Sequence, residues 1–371
     1  MIGPVTFSFE ELVAHKEAGV SEAALAKLRA EADKILASEV VDVTMRTLRA
    51  PSGDPRDYIS IAPYRWPNPD TPDGLPWVGR DGHVNPDTVQ KIGIGIVYSR
   101  VFNLALAAFY FGDNGYLEYA ERQLRAWYIN PETRMTPNAR YGQCIPGVCD
   151  GRSTGLLDFA TVYILFNGIG IFESMGLLSE ETLRGVREWY NEFLNWMLTS
   201  EQALPGYGCD ENAGCWFDAH TLAIALGTGR KRLATNIAKT AYAHRVKRQI
   251  RPDGSQPGEL RRTKALSYSF YNYRALMVVA RIAERLGMNE YWTVDKERGV
   301  CIMKQAIDYL YPFVKNPETF PYQELYIDKQ ATSIIEPLLA INKRFPNQGY
   351  DKRAAEFGNR DGEITALYPQ F

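Results

Sequence analysis

Apolar residues recur at helical spacing along most of this chain, and no stretch alternates apolar with polar residues for long enough to make a useful strand. That pattern restricts the fold to helices packed on helices. The clearest case is SEAALAKLRAEADKILAS at 21–38, an amphipathic helix with a Ser cap and acids in its first turn. The same reasoning predicts helices over 86–110, with Pro86 in a first turn that tolerates it, and over 116–128 and 153–175. Ser179 caps the next, which runs to 199 with Trp189 and Trp196 on one face. Further helices are expected at 215–227, 230–249, 263–286, 298–313 and 331–343.

The connections are as telling as the helices. Residues 51–87 are dense in Pro, Gly and Asp yet carry Tyr58, Tyr64, Trp66 and Trp77, an aromatic content that a disordered linker lacks. A long ordered loop pinned to the body is expected, of the kind that walls a binding cleft. No short repeat of fixed period is present, which disfavours the common solenoids. A bundle or a toroid of helical hairpins remains. In a toroid the loops at 58–84, 134–152, 205–216 and 251–262 would gather around one mouth.

With 371 residues, 45% hydrophobic and 23% charged, the chain can bury a large core as one big domain or two medium ones, and we read it as a single domain over 1–371. A net charge of -2 and a pI near 6.2 argue against a general nucleic-acid binder, while leaving room for a local basic cleft that takes an acidic ligand. No run approaches the apolar length of a membrane span. The start shows no basic head and apolar stretch of a signal peptide, as expected of a cytoplasmic protein or of one whose leader has been removed. Five cysteines without paired close spacing, and only His15, His83, His220 and His244, argue against a metal centre. Cys144 and Cys149 fit a small loop bridge outside the cytoplasm and plain thiols inside it.

The segment 251–273, RPDGSQPGELRRTKALSYSFYNY, concentrates chemistry. Its turn-formers predict an ordered loop to Gly258, and Thr263 can cap a helix whose apolar positions are Leu266, Phe270, Leu276, Val279 and Ile282. Arg261 and Arg262 thereby reach a helix start about two turns before Tyr268. A guanidinium held near a tyrosine stabilises phenolate, a strong base. Taken alone, surface ion pairs and a packed tyrosine explain these residues equally well.

Three stretches tilt that balance. YISIAPYRWPNPDTPDGLPWVGRDGHVNPD, LRAWYINPETRMTPNARYGQCIPGVCDGR and DGSQPGELRRTKALSYSFYNY, in this order, resemble the alginate lyase superfamily of polysaccharide lyases. The resemblance implies an all-α fold, an incomplete α/α toroid, and β-elimination of a polyuronate, alginate first and glucuronan second, in the periplasm or outside the cell. It implies an acidic polysaccharide as partner and requires neither cofactor nor metal. Members usually carry an Asn-His pair where this chain reads CDENAGCWFDAHTLAIAL; Asn212 is kept, but Ala213 stands in the His position. A natural loss and a deliberate exchange that traps substrate both produce this, and the intact surroundings favour the second. The chain as written is expected to be nearly inactive.

The chemistry explains the residue types. A proton on the carbon next to an ionised carboxylate is barely acidic, so donors must hold the charge that develops when it leaves. Asn212 and an arginine fit that task, and Tyr268, with a pKa expected below the usual phenol value of about 10, fits the base. Seven-residue spacing favours Arg261 and the family's E-L-x-R-T pattern favours Arg262, which is weighted higher because it precedes the helix. Tyr271 and Tyr273 are reserve bases. Tyr64, Trp66, Trp77, Trp216 and Tyr271 offer faces to sugars, and Asn138, Gln143 and Arg152 a polar rim, although private packing and solvation explain each as well. His220, one turn after Trp216, reads as a buried structural histidine. Two readings compete: a glycoside hydrolase using a pair from Asp210, Glu211, Asp253 and Glu259, and a non-catalytic carbohydrate-binding protein.

Overall fold

The computed structural model describes residues 2–112 and 114–370. Among the described residues it is built from helices, with four short strands. Two compact units divide it: residues 1–5, 28–208 and 223–230 form the first, and residues 6–27, 209–222 and 231–371 the second.

The core of the first unit lies between the Ile94–Phe111 and Val162–Ser174 helices. They approach closely at Gly168, where an added Cβ would sit 2.9 Å from the Cα of Phe102. Contrary to the sequence reading, Ile94–Phe111 and Ser153–Ser174 are long and apolar enough to cross a membrane; most of each is buried, so core packing accounts for their composition. The first also starts later than expected. Pro86 opens a single 3-10 turn capped by Asn85, and the helix begins at Ile94. Likewise Ser153–Phe159 is 3-10 before the α-helix at Val162. Trp189, on Glu180–Thr199, stacks on Phe193 and donates from its indole to the Met135 carbonyl at 2.6 Å.

Strands pin the aromatic loop. Ile59–Ile61 runs parallel to Tyr141–Cys144, pairing Ile59 with Tyr141 and Ile61 with Cys144. Arg65–Trp66 runs antiparallel to Val78–Gly79. Residues 58–61 and 141–144, far apart in sequence, are thereby brought side by side.

The second unit is organised on Ala265–Arg285, whose Leu266, Phe270, Tyr273, Leu276 and Ile282 are all buried. Each such side chain contributes about 1.5–3 kcal/mol of burial. Thr263 does not cap this helix; Lys264 precedes it without a side-chain cap. Lys231–Ala241 continues into a π turn at Tyr242–Val246. Ile302–Lys315 and Ile335–Arg344 also belong here. The sequence reading missed Phe9–Glu17, which begins with a capping box between Ser8 and Glu11 and is tied by Glu11 to the buried Arg281.

Candidate active site

The stretch before Ala265–Arg285 folds as its turn-formers dictate. Arg251 and Gly254 close a turn (2.9 Å), Asp253 accepts from the Ser255 amide, and Pro257 opens the short Pro257–Leu260 helix. Gln256, buried, donates to the Ser269 carbonyl and accepts from Asn272, which fastens the loop to the long helix. Glu259 is turned inward to 1% exposure. Its two oxygens accept from the backbone N–H and from the side-chain Nδ2 of Asn212, each at 2.7 Å. Burial pushes the Glu259 carboxyl up to about 7, against the lowering effect of those bonds and of Arg262.

Asn212 is the first residue of Asn212–Gly227, and the Glu259 carboxylate occupies the anion-favouring end of that helix. Gly214 lets the chain double back, since a Cβ there would lie 2.0 Å from the Cys209 carbonyl. Arg245, from the π turn, donates to that carbonyl and to Asp218, both at 2.7 Å. Burial raises the Asp218 carboxyl while Arg245 lowers it. This buried pair, which sequence reasoning missed, holds the turn leading into Asn212. Ala213 follows directly.

Arg262 connects the two sides. Its amide donates to the Glu259 carbonyl (3.0 Å), its guanidinium lies 3.8 Å from the Glu211 carboxylate, and it sits over the Tyr268 ring, 4.1 Å from the centroid. Lys264 adds a second cation 5.6 Å from the same centroid. Arg261 is instead bonded to Glu211 and largely exposed. Asn212, Glu259, Arg262 and Tyr268 thus form one unbroken run of contacts. Trp216 is 1% exposed and packs on Tyr271 with centroids 5.1 Å apart, which engages both rings with each other. Tyr273 is fully buried and held neutral by desolvation, which removes it as a reserve base. His220 is buried beside Trp216.

Each candidate carboxylate of a hydrolase already has a partner in the structure. Glu259 spends both oxygens on Asn212, Glu211 is paired with Arg261, Asp210 with Arg248, and Asp253 caps its own turn.

In the first unit one of the other candidates, Gln143, is bound to a carboxylate that the sequence did not flag. Asp158 accepts from Tyr58 (3.1 Å), Ser60 and Gln143 Nε2 (3.3 Å), and burial raises its pKa. Gln143, at a left-handed φ of 49°, also accepts from Arg152 at 2.9 Å. Trp66 donates to the His83 carbonyl under Arg80, and the Trp77 amide bonds the Pro146 carbonyl. The Tyr64 carbonyl receives the Arg80 amide. Asn138 accepts from the Arg140 amide in its own turn. Cys144 and Cys149 are separate thiols.

Residues 42–320 match the profile of the family described as alginate lyase. Among solved structures, an alginate lyase from Bacteroides ovatus is 31% identical, with a TM-score of 0.92 over 98% of both chains. Alginate lyase A1-III from Sphingomonas species A1 has a TM-score of 0.56 at 16% identity, covering 95% of this chain and 98% of that one. A variant of alginate lyase A1-III complexed with tetrasaccharide gives 0.57 at 17% over the same shares. No curated protein matches the sequence. The all-α reading and the α/α-toroid class agree with the fold shared with these structures. Family profile and fold together establish that the chain belongs to the alginate lyase family of polysaccharide lyases.

Proposed function

We propose that this site cleaves alginate by β-elimination, with Tyr268 as the base, Arg262 and Asn212 as the donors that hold the uronate carboxylate, and Ala213 marking a missing donor. The observation that carries the proposal is the Arg262 guanidinium over the Tyr268 ring, beside an Asn212 amide fixed by Glu259. Tyr268 takes the proton from the carbon next to the carboxylate, and that C–H pair becomes the new carbon–carbon double bond. The glycosidic C–O bond breaks with its electrons on the leaving oxygen, which regains a proton, from the same tyrosine when the two groups lie on one face. Charge building on the carboxylate meets the Asn212 amide at a helix start and the Arg262 cation, both set before the substrate arrives. Within the first unit, Arg152 and Gln143, with Tyr64, Trp66, Trp77 and Asn138, are assigned to contacts with sugars of an acidic chain. The alginate-lyase name of the 31%-identical Bacteroides ovatus structure supports alginate over glucuronan, and the family resemblance supports a periplasmic or secreted setting.

Ala213 supports one other reading, a protein that binds polyuronate without cleaving it. The Ala213→His protein separates the two. Offered alginate and glucuronan and followed by ultraviolet absorbance of the conjugated product, it gains at least about a hundredfold over the chain as it stands, the usual effect of one preorganised donor. Binding with no absorbance gain on either polymer favours the non-catalytic reading.

A further inference from the structure

The Asn212 amide is held in an unusual way. A carboxylate can only accept, so Glu259 forces the amino end of the amide, and not its carbonyl end, to face it. The same carboxylate takes the Asn212 backbone N–H, so the residue is gripped at two points by one side chain. Among the described residues, the second Nδ2 hydrogen and the Oδ1 atom of Asn212 have no other partner. Asn212 is 4% exposed and Glu259 1%, so water competes poorly at either. Glu259 lies in the short Pro257–Leu260 helix that Gln256 fastens to Ala265–Arg285, so the grip has a rigid base.

We propose that Glu259 is the positioning residue for the proposed elimination: by accepting both N–H groups of Asn212 it fixes which way the amide faces and leaves one Nδ2–H as the outward donor for the uronate carboxylate. The inference rests on the lyase reading for its catalytic meaning but not for its structural content. The groups that bear on Glu259 are Glu211, which raises its pKa, Arg262, which lowers it, and Arg261 and the Cys215 thiol, whose own protonation its charge influences. Protonation of Glu259 turns one acceptor into a donor and releases the grip.

Glu259→Gln tests this with little change of shape. A glutamine has one acceptor; with that oxygen on the Asn212 backbone N–H, its NH2 faces the side chain and compels the amide to turn its oxygen inward. In the chain as it stands, the Asn212 side-chain amide pair in a nitrogen–proton NMR spectrum, identified by its loss in Asn212→Asp, shifts with pH around a midpoint near 7, and in Glu259→Gln that titration vanishes. In the Ala213→His background, Glu259→Gln lowers kcat about a hundredfold with KM changed less than about threefold, and Glu259→Asp, which keeps two acceptors, recovers part of the loss. An Asn212 amide pair that ignores pH between 5 and 9, or a kcat kept within about threefold in an active background, overturns the proposal. If the Ala213→His protein is inactive on every polyuronate, the lyase reading fails while the amide titration still decides the role of Glu259. If Glu259→Gln does not fold, the titration in the unaltered chain and the Glu259→Asp protein carry the decision.

Discussion

Each unit contains a desolvated carboxylate that orients an amide side chain next to an arginine, yet the two clusters differ in what they leave open. In the first unit, Asp158 accepts from Tyr58, Ser60 and Gln143, and the other end of the Gln143 amide accepts from Arg152. In the second, Glu259 accepts only from Asn212, and the second Nδ2 hydrogen of that amide carries no bond among the described residues. A saturated cluster holds a surface in shape. One that stops a bond short presents a donor, which is what a developing negative charge requires. The position of Arg262 over a tyrosine that is not fully buried adds a proton acceptor on this side, whereas the tyrosine of the first cluster, Tyr58, is buried and bonded to a carboxylate.

The contrast is broken most severely at Tyr268. In the Ala213→His background, Tyr268→Phe drops turnover by about a thousandfold, within the range of a lost general base, while oligouronate binding by calorimetry stays within about threefold. Next comes pH-dependent stability. Glu259 ionises near 7 in the fold against 4.5 when unfolded, so the folded state binds more protons between these values and stability falls as pH rises through that window. The effect amounts to at most about 3 kcal/mol, and Glu259→Gln removes it, as urea unfolding at pH 5 and pH 8 would record. Arg262→Ala should lower kcat/KM about a hundredfold. Asp158→Asn, which removes one of the bonds that hold Gln143, should raise KM about tenfold and leave kcat alone, the loss expected of a hydrogen bond worth about 1.4 kcal/mol. Arg261→Ala sits at the bottom, within about threefold, because its pair with Glu211 is exposed. An Arg261 effect larger than that of Arg262 would reverse the assignment made between them.

Much of this was legible from the chain alone. Helices were readable because their apolar spacing is local, and Asn212, Arg262 and Tyr268 stood out because they sit in long motifs. Helix starts were less so: Pro86 fits a first turn wherever that turn ends, and only the fold reveals a lone 3-10 turn. The Phe9–Glu17 helix was overlooked although its Ser-x-x-Glu capping box is explicit. Glu259 reads as a hydrolase carboxylate because sequence shows a charge but not its burial, and its partner Asn212 lies 47 residues away. Asp158 was invisible for the same reason, its Tyr58 partner being 100 residues distant. Trp216 looked like a sugar platform, and burial is the one property that separates a platform from a core aromatic.

Whether the second unit's open amide and cation-bound tyrosine receive a uronate is decided by a crystal structure of the protein, with Ala213 in place, bound to an alginate tetrasaccharide. In that complex one uronate carboxylate lies within hydrogen-bond distance of Asn212 Nδ2 and the Tyr268 oxygen faces the adjacent C–H. A tetrasaccharide whose carboxylates all lie out of reach of Asn212, or whose C–H groups all lie away from Tyr268, would contradict it.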